Sequence, residues 1–168
     1  MRGDGNIMTL ETESYISEVF ENHSTAVFKI CMVMLKNKQD AEDVFQEVFV
    51  RLMQNTKPFE SNAHCRAWLC KVAVNCCKNQ LKCFWKRRVI PSEYIHNTES
   101  TPQQNEMLQD ILKLPPNYRT VIHLHYYEGY KPAEIAKIMN KSEQVIYNYL
   151  HRAKQQLKLV LEGVSDNA

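Results

Sequence analysis

The chain is expected to be all-α, built as two small helical domains joined by a linker. Three observations carry that expectation. Glycine is scarce, at four of 168 residues, so the turn-rich chemistry of strand proteins is missing. Apolar residues recur at three- and four-residue steps through most of the chain. One stretch, residues 89–106, breaks that period and is rich in Ser, Thr, Asn, Gln and Pro, the composition of a linker. The expected division is 10–88, a linker over 89–106, and 107–160.

Each element follows from its pattern. Tyr15 to Leu35 places Ile16, Val19, Phe20, Val27, Ile30, Cys31 and Met34 on one helical stripe. A polar KNKQ turn leads into Asp40 to Gln54. At about 100° per residue, Ala41, Val44, Phe45, Val48 and Leu52 share a buried face. Asp43, Gln46, Glu47, Val50 and Met53 fall opposite. Carboxylates mixed with exposed apolar groups suit a docking surface for a basic protein; a plain solvent face is the alternative. The loop TKPFESN enters a third helix, Ala63 to Lys82, with Phe84 to Arg88 closing the first block. After the linker, Met107 to Leu112 resumes the helical period, and Pro115-Pro116 breaks it. Tyr118 to Tyr127 reads as a helix, then an EGYK turn. Pro132 opens Pro132 to Met139 from the first helical turn, where its missing N–H costs nothing.

Charge is distributed in blocks. The formal net charge is +2, yet Ser61 to Ser92 holds no Asp or Glu, while carrying Arg66, Lys71, Lys78, Lys82, Lys86, Arg87 and Arg88. Residues 10–60 lean acidic. Opposite blocks suit two partners of opposite sign. Phe59, Trp68 and Trp85 interleave with the basic block, which fits a nucleic-acid surface or a solvated face over core tryptophans. The six cysteines form no CxxC pair, so zinc-ribbon spacing is absent, and no metal or cofactor is expected. They read as small hydrophobes in helix packing. His123 and His125 form an HxH, but no nucleophile-base pair or phosphate-cradling Gly loop accompanies it. No enzyme activity and no small-molecule substrate are expected. With no apolar run of bilayer length and no signal-peptide core, a cytoplasmic location is expected.

The closing segment has helix-turn-helix spacing: Pro132 to Met139, the turn NKS, and a second helix from Glu143. Ile146, Tyr149, Leu150, Ala153 and Leu157 make its inner stripe. Gln144, Tyr147, Asn148, His151 and Arg152 project away. Amide and guanidinium groups pair with base edges in the major groove. Ser142 is placed to cap this helix, whose N-terminus favours phosphate.

Three segments in order resemble the sigma-70 family of RNA polymerase sigma factors, in its extracytoplasmic-function class. DAEDVFQEVFVRL resembles the core-binding helix of region 2, HCRAWLCKVAVNCCKNQL the promoter-melting helix after it, and LPPNYRTVIHLHYYEGYKPAEIAKIMNKSEQVIYNYLHRAKQQL region 4. The resemblance spans about Tyr15 to Leu159. It implies that Asp43, Gln46, Glu47, Val50 and Met53 dock on core RNA polymerase. It implies that Phe59, Asn62, His64, Lys71, Asn75, Lys78 and Asn79 contact the −10 element of promoter DNA. A flipped base would sit between the Phe59–His64 loop and the start of the long helix, with Asn75 lining that pocket. Ser142, Gln144, Tyr147, Asn148, His151 and Arg152 would contact the −35 element, and part of the region 4 apolar face would pack on the polymerase flap. Two positions that are commonly basic are Tyr147 and Tyr149, which predicts a weaker phosphate contribution. Asn140 stands where Gly is common and tolerates the left-handed conformation. An anti-sigma factor is the implied regulator. The alternative reading is a stand-alone helix-turn-helix transcriptional regulator.

Overall fold

The computed structural model describes residues 10–87 and 102–161, and every regular element among them is helical. The helices are α1 (Leu10–Leu35), α2 (Lys38–Gln54), α3 (Asn62–Arg87), α4 (Pro102–Lys113), α5 (Pro116–Ile122), α6 (Pro132–Met139) and α7 (Glu143–Leu161). Most of the expected linker, residues 89–101, lies outside the described residues. Its last part does not behave as linker, because α4 already begins at Pro102. Pro at the first helical position explains that start. None of the described helices is long and apolar enough to cross a membrane.

The first three helices pack on one another. In α1, Val19, His23, Val27, Ile30 and Met34 form one buried stripe. That helix stops at Lys36, which adopts φ 59 and returns its N–H to the Met32 carbonyl. Asn37 then caps α2 by accepting from the Asp40 N–H at 3.0 Å. Replacing Asn37 with Ala should remove about 1 kcal/mol of stability, measurable as a lowered denaturation midpoint at unchanged slope.

α2 buries Ala41, Val44, Val48, Phe49 and Leu52. Here the structure corrects the helical wheel. Phe49 is buried while Phe45 is half-exposed. Phe20, expected in the core, is 44% exposed. The cause is a cluster of Phe20, Phe28, Phe45 and Phe49, mostly edge-to-face, with ring centroids 5.0–5.9 Å apart. It straddles the rim of the core, so some rings face water. α3 buries Cys65, Leu69, Cys70, Ala73, Val74, Cys76 and Cys77. Small side chains there let α1 and α2 approach closely. Five of the six cysteines thus serve as small hydrophobes, and Cys83 alone is exposed. Burial raises the Cys70 and Cys76 thiols to about 11, which keeps both protonated and unreactive at neutral pH.

The last four helices form the second group, with Ile111, Leu114, Val121, Leu124, Ile135, Met139, Ile146 and Leu150 inside. The expected helix Tyr118 to Tyr127 is not uniform: His123–Tyr127 form a π-helical turn, closed by the Glu128 N–H on the His123 carbonyl. Gly129 follows at φ 76 with open space around it. Its conformation, rather than crowding, is what calls for glycine.

The two groups are not held apart. Their buried side chains form one continuous cluster, with α3 against α6 and α1 against α5. Polar ties cross this boundary. Arg119 of α5 is buried and donates to the carbonyls of Val33 and Met34 at the end of α1, and to Leu114 O at 2.9 Å. Arg66 of α3 pairs with Glu128. The other Glu128 oxygen lies 3.2 Å from Nε2 of His123. The Lys78 ammonium donates to the Met139 carbonyl at 2.9 Å.

Burial alone would raise the Glu128 carboxyl, but His123 and Arg66 outweigh it and hold the group below the ordinary glutamate range. A carboxylate depressed on folding adds stability that is present above its unfolded pKa and lost as pH falls through its folded one. Stability should therefore decline as acid is added below the usual glutamate range. Glu128→Gln should flatten that part of a pH series of denaturation curves.

Candidate nucleic-acid interface

Four surfaces are built by this arrangement, and the most regular is α7. Its start is fixed by Ser142, whose hydroxyl accepts from the Val145 N–H at 3.3 Å. The turn before it is fixed by Asn140 at φ 53, with the Lys141 N–H returning to the Ala136 carbonyl. On the other side of α6, the Lys131 N–H donates to Glu134 at 2.7 Å, anchoring the first turn. With both helix ends fixed, Ile146, Leu150 and Ala153 face inward. Gln144, Tyr147, Asn148, His151 and Arg152 are all exposed. The Gln144 amide donates to the Asn148 side-chain oxygen at 3.2 Å, which aligns two base-reading amides on one face. Tyr149 differs from Tyr147. It is half-buried, with its ring 5.6 Å from that of Tyr118. Of the two tyrosines at usually basic positions, only Tyr147 faces outward.

The α2 face also forms as a unit: Asp43, Gln46, Glu47, Val50 and Met53 are exposed together. Arg51 pairs with Glu47 at 2.6 Å across one turn. Two carboxylates and the two apolar groups still point outward.

The third surface, on α3 and the loop before it, divides in two. Phe59 is half-buried and rests on Trp68 at 5.4 Å and His64 at 5.5 Å. His64 accepts from the Glu60 N–H, and the Asn62 oxygen bonds the buried His23 ring at 2.7 Å. These contacts set the loop's shape. Lys71, Asn75 and Asn79 are exposed further along, with Lys78 half-buried among them. At 1.5 Å rise per residue, Asn75 stands about 16 Å along the axis from His64. Asn75 is exposed on the same stretch of α3 as Lys71 and Asn79. Trp85, outside the expected contact residues, is 84% exposed between Lys82 and Lys86. Its place in the basic block was the available signal. An exposed ring flanked by cations is suited to stacking on an unpaired base.

A fourth surface is an apolar groove in the second group, lined by Met107, Ile122, Tyr126, Tyr127 and Leu157, with Lys154 and Lys158 at its rim. Lys154 lies over the Tyr126 ring, 5.5 Å from its centroid. His125, half-buried, bonds the Tyr130 carbonyl at 2.8 Å, and His123 is buried, so the HxH pair is occupied in packing. Among the described residues, no group of three His, Cys, Asp or Glu side chains is placed to hold a metal ion.

Two family models match the chain. Residues 19–87 match the family model described as Sigma-70 region 2, and residues 104–157 match Sigma-70, region 4. The chain is 29% identical to the ECF RNA polymerase sigma factor SigM of Bacillus subtilis, over 90% of this chain and 98% of that protein. It is 26% identical to SigW of the same organism, another ECF RNA polymerase sigma factor, over 88% and 89%. Among solved structures, it resembles the sigma factor RpoE from Bartonella quintana, crystallised with the anti-sigma factor NepR. The TM-score is 0.72 at 19% identity, covering 92% of this chain and 98% of that one. It also resembles CnrH, solved with the cytosolic domain of CnrY, at TM-score 0.62 and 20% identity over 91% of each chain. At those identities the structural likeness establishes the fold.

Proposed function

On the premise that this chain belongs to the sigma-70 family, which two region matches in the family's order establish, we propose that it is an extracytoplasmic-function sigma factor that binds core RNA polymerase and directs initiation at promoters carrying −35 and −10 elements. Residues 10–88 serve as region 2, 89–101 as the linker and 102–160 as region 4. The observation that carries this reading is the pairing, in one chain, of the exposed acidic–apolar face on α2 with the exposed amide face on α7.

Asp43, Gln46, Glu47, Val50 and Met53 dock on the polymerase. Charge complementarity steers the encounter and apolar contact adds affinity. Ser142, Gln144, Tyr147, Asn148, His151 and Arg152 engage the −35 duplex. Gln144 and Asn148 suit adenine edges, and Arg152 suits guanine or phosphate. Lys71, Asn75, Lys78 and Asn79 hold the melted −10 strand, while Phe59, Asn62 and His64 shape the loop beside it. Binding energy to the open strand shifts the duplex equilibrium toward melting, so no nucleotide hydrolysis is needed. The groove around Tyr126 and Tyr127 is where the polymerase flap packs. The protein works in the cytoplasm, performs no catalysis of its own, and is restrained by an anti-sigma factor. RpoE, a fold relative, was crystallised with such a factor.

The test is reconstitution. The purified chain is added to core polymerase free of other sigma factors, and transcription starts are mapped across genomic DNA. Starts sharing two elements at fixed separation are expected. A chain that binds DNA yet neither associates with core polymerase nor redirects its starts would be a stand-alone regulator.

A further inference from the structure

We propose that Trp85, with Lys82 and Lys86, forms a further DNA contact at the end of α3. The ring stacks on the base at the upstream junction between paired and melted promoter DNA, and the two ammonium groups hold the phosphates around it. This deepens the functional reading above and rests on it. The first support is the ring itself. The chain's other tryptophan, Trp68, is half-buried and rests on Phe59. Trp85 is 84% exposed, so core packing does not account for it. Lys82 and Lys86 are exposed as well, and the whole stretch Ser61 to Ser92 lacks Asp and Glu. A large ring held in water among cations, in a stretch without carboxylates, fits a partner that is both anionic and flat. Nucleic acid offers both.

The second support is position. At about 100° per residue, Lys71, Asn75, Asn79, Lys82, Trp85 and Lys86 fall within one arc of about 120° on α3. The residues assigned to the melted strand end at Asn79. Trp85 stands about 9 Å further along the axis, roughly the depth of two to three stacked bases. The face therefore runs past the last assigned contact by a distance that DNA can follow. Chain order sets the direction. α3 leads out to the linker and then to region 4, which engages the upstream element, so the C-terminal end of α3 lies on the upstream side of the melted segment. There the duplex closes again. The base at that junction has lost its stacking neighbour on one side, and an indole ring replaces it. Lys82 and Lys86 are four residues apart, neighbours on the helix surface, and flank the ring in sequence. In closed duplex every base is already stacked, so the contact forms only on melting and favours the melted state.

The test uses the full chain bound to core polymerase and two probes cut from a promoter found by the start mapping. One is intact duplex; the other is a fork whose −10 segment is single-stranded. Trp85→Ala should bind the fork about tenfold more weakly, the loss of one stacked base, and the duplex within about twofold of the parent. Trp85→Tyr should keep most of the fork affinity, because its ring still stacks. The fork should quench tryptophan emission in the parent and far less in Trp85→Tyr. Lys82→Ala with Lys86→Ala should reduce the slope of log affinity against log salt by roughly 1.5. Circular dichroism confirms that each variant is folded. Fork binding by Trp85→Ala equal to the parent's overturns the contact. An equal loss on duplex and fork overturns stacking at the junction. A loss of affinity for core polymerase, with fork binding by the assembled complex unchanged, assigns the ring to a protein partner and overturns the proposal as well. A parent that neither joins core polymerase nor redirects its starts would instead sink the sigma-factor reading.

Discussion

Arg119→Met is expected to destabilise the full chain by roughly 3 kcal/mol or more, the largest effect of any single substitution proposed. The side chain is 5% exposed and donates to three main-chain carbonyls, those of Val33, Met34 and Leu114. Removing it strands acceptors that each cost about 1–3 kcal/mol when buried without a partner. Burial lowers the guanidinium to about 10, which still leaves it charged at neutral pH, so the interaction is present under working conditions. Arg119→Lys should recover part of the loss, since one ammonium cannot reproduce a planar fork aimed at separated oxygens. Chemical denaturation followed by circular dichroism gives the magnitude. Hydrogen exchange gives the location, because the end of α1 and the start of α5 should lose protection together although they are distant in sequence. A variant that melts like the parent would mean that these carbonyls find other partners.

That pairing was beyond reach of the sequence. In LPPNYRTV, Arg119 reads as an ordinary surface cation on a helix, and its acceptors are backbone atoms that carry no residue identity. Lys78 on Met139 is hidden for the same reason, and the π-helical turn at His123–Tyr127 leaves no compositional mark. What was legible had local chemistry behind it. Pro132, Asn140 and Ser142 each satisfy a different backbone need, and together they fixed α6, the turn and α7. Periodicity identified the α2 face correctly at Asp43, Gln46, Glu47, Val50 and Met53. It failed at Phe45, Phe49 and Phe20, because a wheel assumes one buried side and the ring cluster lies on the rim of the core.

The second large effect is expected on the α2 face. Asp43→Lys with Glu47→Lys should weaken association with core polymerase on the order of 100-fold, because like charges facing each other across an interface cost several kcal/mol. Both carboxylates are exposed, so folding should barely notice. The ion pair broken is Glu47 to Arg51, a surface pair about half exposed on each side and worth no more than about 0.5 kcal/mol. The steering part of the effect should be steep in salt. Raising ionic strength should therefore narrow the gap between parent and variant by weakening the parent. Val50→Ser with Met53→Ser tests the other half of the face: affinity should fall with little change in salt dependence, since the lost contact is apolar. Equal polymerase binding by the charge-reversed chain, with α7 still able to bind duplex DNA, would remove the α2 face from the docking surface and leave a DNA-binding protein without its route to the polymerase.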